Sequence, residues 1–193
     1  MSVLIGLTGP TGAGKSTAAA VAAELGIQVI NCDEVAREAV IKGSSGLKAV
    51  TNVFGADILF EDGNLDRKKL AQKAFSSKEN TELLNKTLLP YIVELVRGKI
   101  IGETVLLDAP TLFESELYRE CDFTVAVLAD NNLRLNRIIE RDSLSKEQAL
   151  LRMSAGRDDN FYISNADFII YNNGDTELLK KDFLNILKKE ELI

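Results

Sequence analysis

The residues best suited to chemistry in this chain stand together near its start. Residues 9–17 read GPTGAGKST and fit the phosphate-loop pattern G-x-x-x-x-G-K-[ST]. Glycines let the backbone approach a ligand, so that successive N–H groups and a helix N-terminus can converge on phosphate oxygens. In this motif Lys15 would neutralise the β- and γ-phosphates, and the Ser16 hydroxyl would bind Mg²⁺. The pattern predicts a nucleoside triphosphate site with Mg²⁺, and its phosphate-binding residues are Gly12, Ala13, Gly14, Lys15, Ser16 and Thr17.

The segments on either side of this stretch decide how far the motif can be relied on. Residues 3–8 are apolar and β-branched, which is typical of a strand buried on both faces of a parallel sheet. Residues 18–25 are nearly all strong helix formers and stop at Gly26, a good helix terminator. A strand followed by a helix is the context that the motif needs, and it disfavours a plain glycine-rich turn with a solvated lysine.

Two carboxylates follow apolar segments that we predict to be strands. Asp33 comes shortly after residues 27–30, and Asp108 comes directly after residues 104–107. Ligands of open α/β sheets bind beyond the carboxyl ends of strands, so both should lie on the edge that carries the phosphate loop. Asp108 could hold Mg²⁺ through water, or it could act as a cap or turn residue. Asp33 could take part in the site, or it could only cap the helix over residues 34–40.

A basic helix is predicted over residues 133–142. It places Arg137 and Arg141 four positions apart, on one face. Two guanidinium groups so placed could clamp a polyphosphate, as a lid does over ATP. The alternative is a solvated face whose arginines pair with neighbouring Glu or Asp residues.

The rest of the chain alternates strands and helices. Asp66 and Ser45 are predicted to cap helices, Ser145 with Gln148 to form a capping box, and Pro90 to kink or break a long helix. Further strands are predicted over residues 122–128 and 168–171, and further helices over 47–54, 67–75, 78–99, 145–155 and 176–190.

This order predicts an α/β protein of the P-loop NTPase type, with a mostly parallel sheet flanked by helices. We expect a single domain over residues 1–193, whose core comprises residues 1–31, 103–130 and 165–193. The mainly helical residues 32–102 are too many for a simple crossover, so we interpret them as an inserted acceptor-binding region. Residues 131–164 are interpreted as the lid.

Bulk properties narrow the classes of function. The formal net charge of −6 argues against broad binding of nucleic acid or of anionic membranes. The chain has no histidine, so the common zinc sites are excluded, and Cys32 and Cys121 are too isolated to suggest a disulfide framework. Because strand and phosphate loop begin at once and no long apolar run is present, we expect a cytoplasmic protein without a signal peptide.

Taken as an ordered set, the motifs resemble the dephospho-CoA kinase family. The set spans most of the chain and comprises the phosphate loop, residues 29–33 followed by Val35-Ala36-Arg37, residues 62–67, 110–114 and 137–142, and the final strand and turn at 166–174. The resemblance implies transfer of phosphate from ATP, with Mg²⁺, to the ribose 3′-hydroxyl of dephospho-CoA, the last step of coenzyme A synthesis. By matching position, Asp33 would be the catalytic aspartate, Lys15 and Ser16 the phosphate and Mg²⁺ groups, and Arg137 and Arg141 the lid arginines.

The chain also departs from the family pattern. The family usually has His at Leu89, Asp at Asn31 and Gln at Gly156, a basic residue near Tyr162 and Asp at Tyr171. Two alternatives follow from the residues: another kinase of nucleotides or nucleosides, and a nucleotide-binding module without catalysis. A GTPase is disfavoured because residues 108–111 lack the glycine of D-x-x-G.

Overall fold

A five-stranded sheet lies at the centre of the computed structural model, which describes residues 2–192. The strands are β1 Val3–Thr8, β2 Gln28–Asn31, β3 Thr104–Asp108, β4 Phe123–Leu128 and β5 Phe168–Tyr171, in the order β2-β3-β1-β4-β5. β1 pairs in parallel with β3 and with β4, and β4 pairs in parallel with β5. The prediction of an α/β fold with a mostly parallel sheet is confirmed.

The helices connect these strands. They are α1 Lys15–Glu24, α2 Cys32–Ala39, α3 Ser45–Phe54, α4 Arg67–Ala74, α5 Lys78–Lys99, α6 Asn131–Asp142, α7 Lys146–Ser154, α8 Asp159–Asn165 and α9 Thr176–Lys189. Short 3-10 turns occupy Ala56–Ile58 and Leu117–Glu120. Of the helices within residues 2–192, none is both long and apolar enough to cross a lipid bilayer.

The described residues divide into two compact units, each with its own core. The first, called the sheet unit here, comprises residues 2–29, 101–110 and 121–192. Its core joins strand residues such as Leu7 and Val125 to α1 and α9. The second, called the helical unit, comprises residues 30–100 and 111–120. Its core is formed by Val40, Leu47, Val50, Phe54, Ile58, Leu70 and Ala74.

Helix caps fall partly where the sequence predicts them. Asp66 caps α4, and Ser145 with Gln148 forms the capping box of α7, as predicted. The prediction that Ser45 caps α3 is wrong, because the Ser44 hydroxyl accepts from the Leu47 N–H at 3.1 Å. Asn31, rather than Asp33, caps α2.

Two predicted boundaries also differ from the structure. Pro90 is predicted to kink or break the long helix, but α5 runs as one helix over 22 residues with Pro90 inside it, so no break occurs there. Proline removes one helix hydrogen bond, and here α5 packs along α2, α3 and α4, which keeps the helix in place around the exposed Pro90. α8 was not predicted from the sequence, although Asp158 caps it by accepting from the Phe161 N–H at 2.9 Å.

Candidate functional site

The phosphate loop connects the carboxyl end of β1 to the start of α1 and depends on glycine at specific positions. Gly12 and Gly14 have φ values of 78° and 90°, in the left-handed region that favours glycine. A Cβ atom on Gly14 would also collide with the amide nitrogen of Asn172, and one on Gly12 would lie 2.7 Å from the Arg134 carbonyl oxygen. The loop is therefore both tightly curved and closely surrounded.

The start of α1 supplies the positive side of the site. The first N–H groups of a helix have no partner within it and carry the positive end of its dipole, which favours anions. Lys15 is the first residue of α1, and its Nζ donates to the Gly9 carbonyl at 3.0 Å, so the ammonium group is held at the loop. The next residue, Ser16, is exposed, whereas Ala18 and Val21 are buried in the core and fix the direction of the helix.

Side chains from two distant parts of the chain bind the carbonyl groups of the loop. Arg134 Nε donates to the Thr11 carbonyl at 3.1 Å. Arg137 Nη1 donates to Gly12 and Ala13 at 3.4 and 3.3 Å. Asn172 Nδ2 donates to Ala13 at 3.0 Å, and Arg137 Nη2 donates to the carbonyl of Asn172 at 3.0 Å. The backbone carbonyls of three successive loop residues thus have donors, which fixes the orientation of the peptide groups between them.

Sequence reasoning identified Arg137 but missed Arg134 and Asn172. Arg134 lies three positions before Arg137 on α6, a spacing that places both on one face of a helix. Asn172 directly follows β5, at the carboxyl edge of the sheet where ligands bind. Both signals were present in the sequence, but neither shows that a side chain reaches the loop backbone.

Arg141 has a different environment from Arg137. Its Nε and Nη2 donate to the two carboxylate oxygens of Asp142, both at 2.9 Å, and Arg152 reaches Asp142 Oδ2 at 2.7 Å. Hydrogen bonds from Arg141 hold the pKa of Asp142 below its usual value, and they raise the pKa of Arg141. In the described residues, the two arginines predicted as a clamp therefore bind different groups, and a role for either in covering phosphates stays a prediction.

Asp108 lies at the end of β3, opposite Leu7 of β1. The next residue, Ala109, donates its N–H to the Leu7 carbonyl at 3.0 Å, so the pairing continues to the point where the phosphate loop begins. One carboxylate oxygen of Asp108, Oδ1, is buried. A carboxylate and a serine hydroxyl are oxygen ligands of the kind that Mg²⁺ prefers beside phosphate and water. Ser16 and Asp108 therefore fit this ion chemically.

Within residues 2–192, no three Asp, Glu, Cys or His side chains are grouped closely enough to hold a metal ion. A dedicated cage of protein ligands is thus not part of the described structure. Mg²⁺ commonly binds through one or two protein oxygens, substrate phosphates and water, which needs no such cage.

Asp33 belongs to the helical unit and lies in the first turn of α2. The Asn31 side chain caps this helix by accepting from the N–H groups of Asp33 and Glu34 at 3.0 and 3.3 Å. Val35 and Ala39 are buried, whereas Asp33 is exposed. The interpretation of Asp33 as the helix cap is therefore wrong, and its carboxylate is available for another role.

Comparison with known proteins adds a family assignment to this geometry. The protein-family model described as "Dephospho-CoA kinase" matches residues 3–177. A protein of Bacillus cereus named dephospho-CoA kinase is 37% identical over 199 aligned residues, which cover 100% of both chains. Most of this chain, including both units, is therefore described by one family.

Solved structures agree with the fold. The crystal structure of TT1252 from Thermus thermophilus superposes with a TM-score of 0.80 at 28% identity, and covers 98% of this chain and 97% of that one. Dephospho-CoA kinase from Campylobacter jejuni has a TM-score of 0.54 at 23% identity, covering 97% of each chain. At that identity the second likeness concerns the fold alone.

Proposed function

From the fact that this chain belongs to the dephospho-CoA kinase family, we infer that it catalyses the ATP-dependent phosphorylation of dephospho-CoA in coenzyme A biosynthesis. The family match over residues 3–177 carries this conclusion, because it includes the phosphate loop, the whole helical unit and most of the sheet unit. The acceptor atom proposed here is the ribose 3′-hydroxyl of dephospho-CoA.

The phosphate loop is proposed to bind the β- and γ-phosphates of ATP. Transfer of a phosphoryl group depends mainly on positioning and on neutralising charge around a loose transition state. Lys15 would shift from the Gly9 carbonyl to the phosphate oxygens, and the N–H groups at the start of α1 would donate to the same oxygens. Support comes from the left-handed Gly12 and Gly14 and from the carbonyl contacts that orient the loop.

Asp33 is proposed to orient the 3′-hydroxyl and to accept its proton. A carboxylate in this role must be accessible to the acceptor, and Asp33 is exposed in the first turn of α2. Asn31 already caps the helix, which leaves the Asp33 carboxylate without that structural duty. The hydroxyl oxygen then attacks the γ-phosphorus, the bond to the β–γ bridging oxygen breaks, and ADP leaves.

Ser16 and Asp108 are proposed to hold Mg²⁺, Ser16 through its hydroxyl and Asp108 through water. Bound there, the ion would neutralise charge on the β- and γ-phosphates. The support is the donor chemistry of the two residues and the place of Asp108 beside the start of the loop.

Arg137 and Arg141 are proposed to stabilise charge that develops on the transferred group. Arg137 is held against the loop backbone, and Arg141 would have to exchange Asp142 for phosphate. We also propose a cytoplasmic location, since two cysteines far apart in sequence are typical of proteins from reducing compartments.

Product analysis is the direct test of this function. The full chain is incubated with ATP, Mg²⁺ and dephospho-CoA, and the products are separated and identified by mass and by the site of phosphorylation. We expect two products, ADP and coenzyme A, with the new phosphate on the ribose 3′ oxygen. We expect no product when EDTA removes Mg²⁺. Faster phosphorylation of free nucleosides or nucleoside monophosphates would contradict the assignment of the acceptor.

A further inference from the structure

Arg134 is a buried cation beside the phosphate loop with no part in the proposed reaction. It lies on α6 and is only 4% exposed, which is unusual for a charged side chain unless it is paired. Its Nε donates to the Thr11 carbonyl at 3.1 Å, and its Nη1 donates to Asp159 Oδ1 at 2.9 Å and to Asn131 Oδ1 at 3.3 Å. One guanidinium group therefore joins the loop backbone to α8.

The contact with Thr11 matters because of how a phosphate loop works. N–H groups can face a bound anion only if the carbonyls of the same peptide groups face away from it. Thr11, Gly12 and Ala13 have their carbonyls bound from outside by Arg134, Arg137 and Asn172. Of the two arginines Arg134 is the more buried, so its bond is the better shielded from competing water.

Asp159 is the carboxylate partner of Arg134. It is the first residue of α8, and its side chain is 38% exposed, so it can bring a charge to the buried guanidinium without being buried itself. The planar guanidinium can donate to a carbonyl and a carboxylate at the same time, which the single nitrogen of lysine does less well. Arg134 therefore donates both to the loop, at Thr11, and to the Asp159 carboxylate, with Asn131 as a further acceptor.

We propose that Arg134, held by Asp159, is a positioning residue for ATP: it keeps the Thr11 carbonyl turned outward, and so keeps the phosphate loop in its binding conformation. The inference rests on the proposed function, since it assigns a determinant of ATP affinity at the same site. It further makes the start of α8 a part of the machinery that sets this affinity.

The test compares ATP affinity and kinetics in the full chain. Arg134→Met removes every donor while keeping an apolar stem, and we expect the Kd for ATP with Mg²⁺ to rise roughly 10-fold to 100-fold, as for loss of a charge-assisted hydrogen bond. The KM for ATP should rise with it. The KM for dephospho-CoA should stay unchanged, and kcat at saturating ATP should change by less than about threefold. Isothermal titration calorimetry and initial rates measure these quantities well below the melting temperature.

Two milder variants keep the test decisive if Arg134→Met does not fold. Arg134→Lys keeps the positive charge but loses the planar guanidinium group with its several donors. It should weaken ATP binding less than Arg134→Met does. Asp159→Asn keeps the shape without the charge and should weaken ATP binding in the same direction. Because Asp159 acts through Arg134, the double variant Arg134→Met with Asp159→Asn should bind ATP no more weakly than Arg134→Met alone.

Arg97→Met is the control, because Arg97 is an exposed arginine that pairs with Glu120 in the helical unit. The ATP affinity of this variant should equal the wild-type value. Folded Arg134 and Asp159 variants with wild-type ATP affinity would overturn the positioning role while leaving the proposed function intact. A wild-type chain that binds no ATP would overturn both. Equal rises in the KM for ATP and for dephospho-CoA would also overturn it, since they would indicate a general structural defect.

Discussion

The phosphate loop and the start of α2 are both proposed to present groups for phosphoryl transfer, but they are held in place by opposite means. The loop takes its contacts from residues far away in sequence, since Arg134 and Asn172 are 123 and 159 positions from their partners. The start of α2 is fixed by Asn31, which lies two and three positions from the N–H groups it binds. The first depends on completed tertiary structure, and the second depends on local capping.

This difference separates two kinds of variant. Changes at the distant partners of the loop should alter affinity for ATP, because they alter the direction of its peptide groups. Changes at the cap of α2 should alter stability, because a cap contributes to the helix rather than to a ligand. The predictions that follow begin with the two groups proposed to act in the reaction, and then test this separation.

Asp33→Asn should have the largest effect. We expect kcat to fall roughly 10²-fold to 10⁴-fold, the range for a positioned general base, while the affinity for ATP is kept. The matched control is Glu34→Gln, an exposed carboxylate in the same turn of α2. Single-turnover rates and ATP titrations measure both quantities. Unchanged turnover in Asp33→Asn would remove this residue from the role of base.

Lys15→Ala should come next, because it removes the cation that lies at the loop. We expect kcat to fall roughly 10²-fold to 10³-fold, as for loss of one electrostatic group of a transition state, together with weaker ATP binding. Lys180→Ala serves as control, since Lys180 pairs with Glu24 at the far end of α1. Normal ATP affinity in Lys15→Ala, measured by calorimetry, would count against the loop as the ATP site.

Asn172→Ala tests the distant support of the loop. Loss of the bond to the Ala13 carbonyl should raise the Kd for ATP roughly threefold to tenfold, the value of an ordinary hydrogen bond. The neighbouring Asn173 accepts from the Asp130 N–H instead, so Asn173→Ala should leave ATP affinity unchanged. An equal loss of ATP affinity in Asn172→Ala and Asn173→Ala would show that the hydrogen bond to Ala13 is not the cause of the weaker binding.

Asn31→Ala tests the local support of α2. Loss of the cap should lower the free energy of unfolding by about 1 kcal/mol and leave the Kd for ATP at its wild-type value. Denaturant unfolding and calorimetry on the same samples give both numbers. A clear loss of ATP affinity would break the proposed separation between distant and local supports.

Asp142→Asn should have the smallest effect, and this effect should disappear in acid. Hydrogen bonds from Arg141 lower the folded-state pKa of Asp142 below the ordinary value of 3.8. Its stabilising contribution is therefore present above that value and is lost as the pH falls through the lower folded-state pKa. We expect the Tm of the variant to lie at most about 2 °C below wild type at neutral pH, and this gap to close in acid. A Tm difference between variant and wild type that grows in acid would contradict the lowered pKa of Asp142.

The α/β fold class and many local features were predictable from the sequence, whereas particular contacts between distant side chains were not. The strand–loop–helix around Lys15, the cap at Asp66 and the capping box at Ser145 follow from residue types within a few positions. Asn31 and Ser44 displaced the predicted caps because both Asp33 and Ser45 have a second capping residue one or two positions earlier, and only backbone geometry selects between them.

The rest required packing in three dimensions. α5 continues through Pro90 because neighbouring helices hold it, and periodicity along one segment does not contain that information. α8 has only seven residues and its apolar residues are consecutive, so the sequence shows no helical periodicity there. Arg134 and Asn172 can donate to the loop carbonyls only after the sheet unit has folded, because folding brings α6 and the end of β5 to the start of α1.

The hydrogen bond from Asn172 to Ala13 has a consequence for how the protein is made. During translation the glycine-rich segment leaves the ribosome more than a hundred residues before its partner does. A nascent chain that ends after Ser154 contains the whole motif but neither α8 nor β5. Full retention on immobilised nucleotide should therefore arise only when synthesis is nearly complete, so ATP binding reports that the C-terminal third has folded.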